Sequence, residues 1–269
     1  MSALAFVTGA AGGIGEAAVR HFHAEGFQLW VTDRDEAGLE RLRGSYPDAV
    51  IHAADLTDRS ALEDLCAALE GADTPPAVAF VNAGVIEPGP SIDLPRASID
   101  LHIDINLRAA AHLNHALARA MVAAGGGHII STLSAAAMVA LPDSAAYSAS
   151  KFGLRGYLIS LAEEVRDKGV TISCLYPNAI DTPMLRYEAL HGGSVLNFLT
   201  PPLATDEVIK ALAKAQKSKR LEYFIPPGDG WSNRLVTSFP GLVRRLYPAL
   251  LKRGEKGRRH FIEKNGLAP

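Results

Sequence analysis

Residues 3–15, Ala3-Leu4-Ala5-Phe6-Val7-Thr8-Gly9-Ala10-Ala11-Gly12-Gly13-Ile14-Gly15, pass from bulky apolar residues without alternation into a cluster of glycines. A helical pattern follows over 16–25. An apolar run without alternation marks a strand buried on both faces. The glycines let the backbone turn tightly and approach a ligand, while the helix N-terminus offers free N–H groups and the positive end of its dipole. Glycines alone also serve plain turns, so the flanking strand and helix carry the reading: a turn that binds a nucleotide phosphate.

Further strands read out at 28–32, 50–54, 77–81, 128–133, 170–175 and 221–225. Helical patterns separate them at 35–43, 60–70, 99–124, 144–168 and 206–217. Strands alternating with helices predict an α/β fold, a doubly wound seven-stranded parallel sheet with helices on both faces. Residues 1–240 read as one Rossmann-type domain, with an apolar loop over about 183–203 and a basic helical extension over 241–269. Ligands in such folds bind beyond the carboxyl ends of the strands. Gly9, Asp33, Asp55, Asn82, Ser134 and Pro177 all fall there, one per strand.

Asp33 lies near the offset at which an acidic residue meets the adenosine ribose. A carboxylate there accepts bonds from a 2′-hydroxyl and repels a 2′-phosphate, which favours NAD over NADP. Arg34 beside it opens the alternative of an NADP-dependent reductase, and its plain reading is a solvated residue before a helix. Asp55 reads either as turn chemistry or as a contact to adenine, and Thr57 or Asp58 as the cap of helix 60–70. Asn82-Ala83-Gly84 are small residues able to pass close to a cofactor. Asn106, inside a helical pattern, predicts a specific hydrogen bond, because a mid-helix amide competes for backbone.

Tyr147 and Lys151 are one helical turn apart on one face. A cation beside a phenol lowers its pKa from about 10. A fall of about 3 units takes roughly 4 kcal/mol, within reach of one buried charge. The pair is then a proton donor and acceptor near neutral pH.

These pieces together resemble the short-chain dehydrogenase/reductase family. The matching residues are Thr8-Gly-x-x-x-Gly13-x-Gly15, Asn82-Ala83-Gly84, Asn106, Ser134, Tyr147-x-x-x-Lys151 and the segment from Pro177 to Met184, in the family's order. The resemblance implies an oxidoreductase moving a hydride between NAD(H) and an alcohol/ketone pair. It implies Tyr147 as the acid/base, Lys151 as its pKa partner and ribose ligand, and Ser134 as the orienting hydroxyl. Asn106 would hold a relay water. Thr8, Gly9, Gly13, Ile14, Gly15, Asp33, Asp55, Leu56, Asn82, Ala83, Gly84, Pro177, Ile180 and Thr182 would hold the cofactor with Tyr147 and Lys151, Asp55 reading adenine and Thr182 the carboxamide. Two positions depart from the pattern: Val81 replaces an asparagine, and Asn178 replaces a glycine whose left-handed backbone asparagine tolerates. The rival class is a non-catalytic nucleotide-sensing or scaffold protein on the same fold.

The loop contains Leu185, Tyr187, Leu190, Val195, Leu196, Phe198 and Leu199 after Met184. It predicts either ordinary packing or a lid over an apolar secondary alcohol, steroid-like, fatty or aromatic, with Ala135, Met138 and Leu141 as the facing wall and Met184 and Leu185 on the lid. In the extension, Leu242, Val243, Leu246, Tyr247, Leu250 and Leu251 form a stripe among many Lys and Arg residues. That pattern fits packing on the domain or a partner subunit, and less well contact with a membrane surface, which usually needs a second signal.

The net charge of −2 gives no global field for nucleic acid. Cys66 and Cys174 read as reduced core thiols of a cytoplasmic protein. His112 and His115 share a helix face without an evident third ligand, so no metal is expected. The expected partners are a small-molecule alcohol or ketone and further copies of the chain, as homodimer or homotetramer.

Overall fold

The computed structural model describes residues 3–238 and 240–268, without the side chains at 240, 242 and 243. The expectations for Leu242 and Val243 as part of the stripe therefore lie outside the described residues. Strand β1 (Leu4–Thr8) leads through the glycine turn into α1 (Gly13–Ala24). Then come β2 (Gln28–Asp33), α2 (Glu36–Ser45), β3 (Val50–Ala53), α3 (Arg59–Glu70) and β4 (Val78–Val81). Next are α4 (Arg96–Ile103), α5 (Ala110–Ala123), β5 (Gly127–Thr132), α6 (Ala145–Val165) and β6 (Val170–Pro177). The chain finishes with α7 (Pro183–Leu190), α8 (Thr205–Ser218), β7 (Glu222–Ile225), α9 (Asp229–Ser238) and α10 (Pro240–Lys264).

The seven strands form one parallel sheet in the order β3-β2-β1-β4-β5-β6-β7. The order reverses between β1 and β4, which opens a crevice at their carboxyl ends. Alternation along β1 explains its sequence. Phe6 packs on one face with Leu62 and Leu65 of α3 and Leu113 and Leu117 of α5. Ala5 and Val7 pack on the other with Val19 and Phe22 of α1 and Leu212 of α8. Both faces are covered, so residues 4–7 of the strand are apolar throughout.

Three local outcomes differ from the sequence reading. The single helix expected over 99–124 is α4 and α5 joined by a π-helical turn, Asp104–Ala109. Asn106 sits in that turn, fully buried, where its Oδ1 accepts from Val85 N at 2.8 Å and its Nδ2 donates to Val85 O at 2.9 Å. The amide is spent on Val85 outside the helix, and the helix widens at this point instead of ending. Asn178 is absent from the residues with left-handed backbone, which apart from glycines are Asp143 and Lys219 among the described residues. Its amide instead donates to Asp229 Oδ2 at 2.8 Å, tying the end of β6 to the start of α9. Helix α9 itself begins inside the span read as the plain end of the domain.

Helix α10 lies against the short 3-10 turn Val195–Phe198. Gly254 and Gly257 permit this, since a Cβ on either would collide with the carbonyl oxygen of Val195 or Phe198. Phe261 then closes a small apolar cluster with Leu185, Ala189 and Phe198.

Candidate active site

The glycine turn is built for close approach. Gly9 has φ +65°, and a Cβ there would lie 2.9 Å from Ala83 Cα. A Cβ on Gly15 would strike the Gly9 carbonyl, so helix α1 starts tight against the turn. Thr8 Oγ1 accepts from the N–H groups of Asn82 and Ala83, both at 2.9 Å, locking β1 to β4 across the crevice. Asn82 extends that link, its Oδ1 accepting from Thr132 Oγ1 at 3.1 Å. Asp33 fixes the other flank: Oδ2 accepts from Ala11 N at 2.9 Å and Oδ1 from Asp35 N at 3.0 Å. Asp55 accepts from Thr57 N and Oγ1 in an Asx turn, and the Thr57 N–H in particular holds its carboxyl below the usual range. Asp58, not Thr57, caps α3. Arg34 is exposed at the rim.

A cleft of about 920 Å³ runs from this turn to the opposite end of the sheet edge. Of the sequence-derived cofactor set, Gly9, Gly13, Ile14, Asp33, Asp55, Leu56, Asn82, Ala83, Gly84, Tyr147, Lys151, Pro177, Ile180 and Thr182 line it. Thr8 and Gly15 do not; both are buried behind the turn as its supports. Asn106 also stands behind the wall, its amide spent on Val85. Of the substrate set, Ala135, Leu141, Met184 and Leu185 line the cleft. Met138 does not. The 3-10 turn Ala135–Ala137, capped by Ser134 Oγ accepting from Ala136 N, swings Met138 into the core, and Val139 takes its place. Thr182 Oγ1 accepts from Leu185 N as the cap of α7.

Tyr147 and Lys151 project from α6 at the centre of the cleft. Lys151 is 3% exposed, donates to Thr132 O at 3.1 Å, and holds Nζ 5.8 Å from the Tyr147 ring centroid. Burial lowers the lysine to about 8. Tyr147 lines the cleft, and burial pushes its hydroxyl up to about 12, with the neighbouring Ser134 hydroxyl pulling the other way. This corrects the expected fall. Desolvation of the phenolate is the largest influence on this hydroxyl, and the nearby Glu188 carboxyl adds to it.

Three parts of the site escaped the sequence. Thr132, at the end of β5, anchors both Lys151 and Asn82, and nothing in its local pattern sets it apart. Glu188 of α7 is 6% exposed in the cleft wall, with Oε2 accepting from Asn197 Nδ2 at 3.2 Å, and burial pushes its carboxyl up to about 8. Asn233 and Val236 of α9 and Leu246, Tyr247 and Leu250 of α10 complete the far wall. Only the apolar stripe of the extension hinted at that.

The model of the short chain dehydrogenase family matches residues 3–191. The chain belongs to the short-chain dehydrogenase/reductase family. It is 33% identical over 207 residues to a D-threitol dehydrogenase of Mycolicibacterium smegmatis, covering 74% of this chain and 78% of that one. A short-chain dehydrogenase from Sphingobium yanoikuyae in complex with NADPH superposes with a TM-score of 0.77 at 24% identity, covering 90% of this chain and 95% of the other. A short-chain dehydrogenase/reductase from Burkholderia phymatum in complex with NAD gives 0.76 at 22%, with the same coverage. Family membership makes the protein an oxidoreductase of alcohol/ketone chemistry.

Proposed function

We propose that the protein is an NAD-dependent dehydrogenase acting on an apolar secondary alcohol or ketone, with Tyr147 as its acid/base. The observation that carries this is the place of Tyr147, Lys151 and Ser134 at the junction of the glycine-turn half and the apolar half of one cleft. The turn fits a dinucleotide: Gly9 and Gly15 let the backbone close tightly, a Cβ on Gly13 would reach Thr182 and Pro183 of the cleft wall, and helix α1 points its N-terminus there. Such a cofactor, when bound, supplies the hydride acceptor or donor. Asp33 supports NAD, since its carboxylate, fixed by the N–H groups of Ala11 and Asp35 at the end of β2, would accept from a ribose 2′-hydroxyl and repel a 2′-phosphate. Leu141, Leu185, Leu196, Leu199 and Val236 support an apolar substrate.

The chain's residues then divide the proton work. Tyr147 Oη, protonated at neutral pH, gives its proton to a ketone oxygen in reduction, and receives it from an alcohol in oxidation. Ser134 hydroxyl orients that oxygen. Lys151, charged below about pH 8, stabilises the phenolate left behind. Asn106 holds the 85 segment against the cleft, a positioning role compatible with a relay water nearby.

A panel of alcohols and ketones with NAD(H) and NADP(H), read by nicotinamide absorbance, tests the reading. Bulky apolar secondary alcohols should outperform polyols such as threitol, and NAD should outperform NADP. Tyr147→Phe should lower kcat by about 10²-fold or more while NADH binding stays within a few-fold. Turnover retained in that variant refutes the mechanism. Saturable NADH binding without turnover across the whole panel would instead indicate a nucleotide sensor.

A further inference from the structure

Helix α9 has two unlike faces. At 100° per residue, Asn233 and Val236 fall on the side that lines the cleft, and Trp231 and Leu235 fall on the opposite side. Trp231 is 83% exposed and Leu235 63%, one turn apart. Large apolar side chains paired on an outer face mark an interaction surface more than a scattered leucine does. The neighbouring chain supplies charge. Residues 230–254 contain Arg234, Arg244, Arg245, Lys252 and Arg253 and neither Asp nor Glu, in a protein whose net charge is −2. Arg234 is paired with Glu222 at 2.6 Å. Arg244, Arg245, Lys252 and Arg253 are exposed and form no ion pair among the described residues.

We infer that the α9–α10 surface docks on an anionic phospholipid membrane, with Trp231 and Leu235 entering the interface and the four arginine and lysine side chains meeting the headgroups. Apolar insertion and basic charge are the two signals that stable peripheral binding needs together. Tryptophan suits the headgroup level in particular, with an apolar ring and a polar N–H. No helix among the described residues is long and apolar enough to cross a membrane, so the contact is peripheral. Charge argues against a second copy of this chain as the occupant. A twofold interface places each patch against its own image, and four unpaired cations would face four. Docking would set the far wall of the cleft against the bilayer, where apolar substrates concentrate.

The chain itself carries the reporter. It has two tryptophans, and Trp30 is buried in β2, so a change of fluorescence on docking reads Trp231. The full-length protein is titrated, without substrate, with vesicles of phosphatidylcholine and phosphatidylglycerol in equal parts, and with phosphatidylcholine alone. A blue shift and co-flotation with the anionic vesicles, both reversed by salt near 0.5 M as charge screening requires, are expected. Arg244→Ser with Arg245→Ser should weaken partitioning roughly tenfold or more, at about 1 kcal/mol per charge. Trp231→Ala with Leu235→Ser, followed by flotation, should abolish binding while Tm holds. Three results overturn the inference: no flotation with anionic vesicles, equal salt-insensitive binding to phosphatidylcholine, or a blue-shifted Trp231 in a dimer without vesicles. Flotation, fluorescence and Tm need no activity, so the binding result stands apart from failure of the proposed dehydrogenase reaction.

Discussion

Glu188 shows how one buried group sets a pH dependence. Its carboxyl has an ordinary value of 4.5 and is pushed up to about 8 by burial. Between those values the unfolded chain releases the proton while the folded chain keeps it, so stability falls as pH rises through the window and levels above 8. Glu188→Gln keeps an acceptor for Asn197 and removes the titration. The variant should gain on the wild type from pH 5 to pH 8, by on the order of 3 kcal/mol after screening by water in the cleft. Parallel Tm-versus-pH curves for the two proteins would disprove the burial effect. Tyr147 and Lys151 were readable as residues from their spacing, whereas the direction of the tyrosine shift was not. It depends on how much protein surrounds the hydroxyl, which four residues of sequence do not encode.

At the scale of elements, the π turn at 104–109 is tied to the 85 segment by one amide. Asn106→Leu would leave both Val85 backbone groups without their partner, at about 1–3 kcal/mol each. Urea unfolding should show a loss of about 3 kcal/mol at unchanged m-value; a loss under about 0.5 kcal/mol would mean water replaces the amide. The contact of α10 offers a second check. Gly257→Val should push the helix off Phe198 and expose the Phe261 cluster, lowering Tm and speeding proteolysis within α10. Unchanged cleavage would show that the helix shifts without detaching. Strands and most helices were legible because their apolar period is local. The π turn was not, and the partner of its amide lies twenty-one residues away, at Val85.

For the whole molecule, the cleft draws on the sheet edge, α6, α7, α9 and α10 together. A dinucleotide bound across it would bind the folded state alone and raise stability by RT ln(1 + [L]/Kd), about 2.7 kcal/mol at a hundred times Kd. A larger Tm rise with NADH than with NADPH at equal concentration is expected from Asp33, and should shrink or reverse in Asp33→Ser. Equal shifts with both cofactors would return Arg34 to consideration as the 2′-phosphate partner.

The sequence by itself determined the parallel sheet, its glycine turn and the residues arrayed along one edge. Each follows from local periodicity or from a motif whose spacing is short-range chemistry. Only the tertiary structure decided that Met138 turns inward and Thr132 anchors Lys151. It also decided that Glu188 is buried in the cleft and that α9 and α10 wall it while turning Trp231 outward. Those outcomes depend on which distant surfaces meet, and burial, unlike periodicity, is a property of neighbours that no single stretch of chain contains.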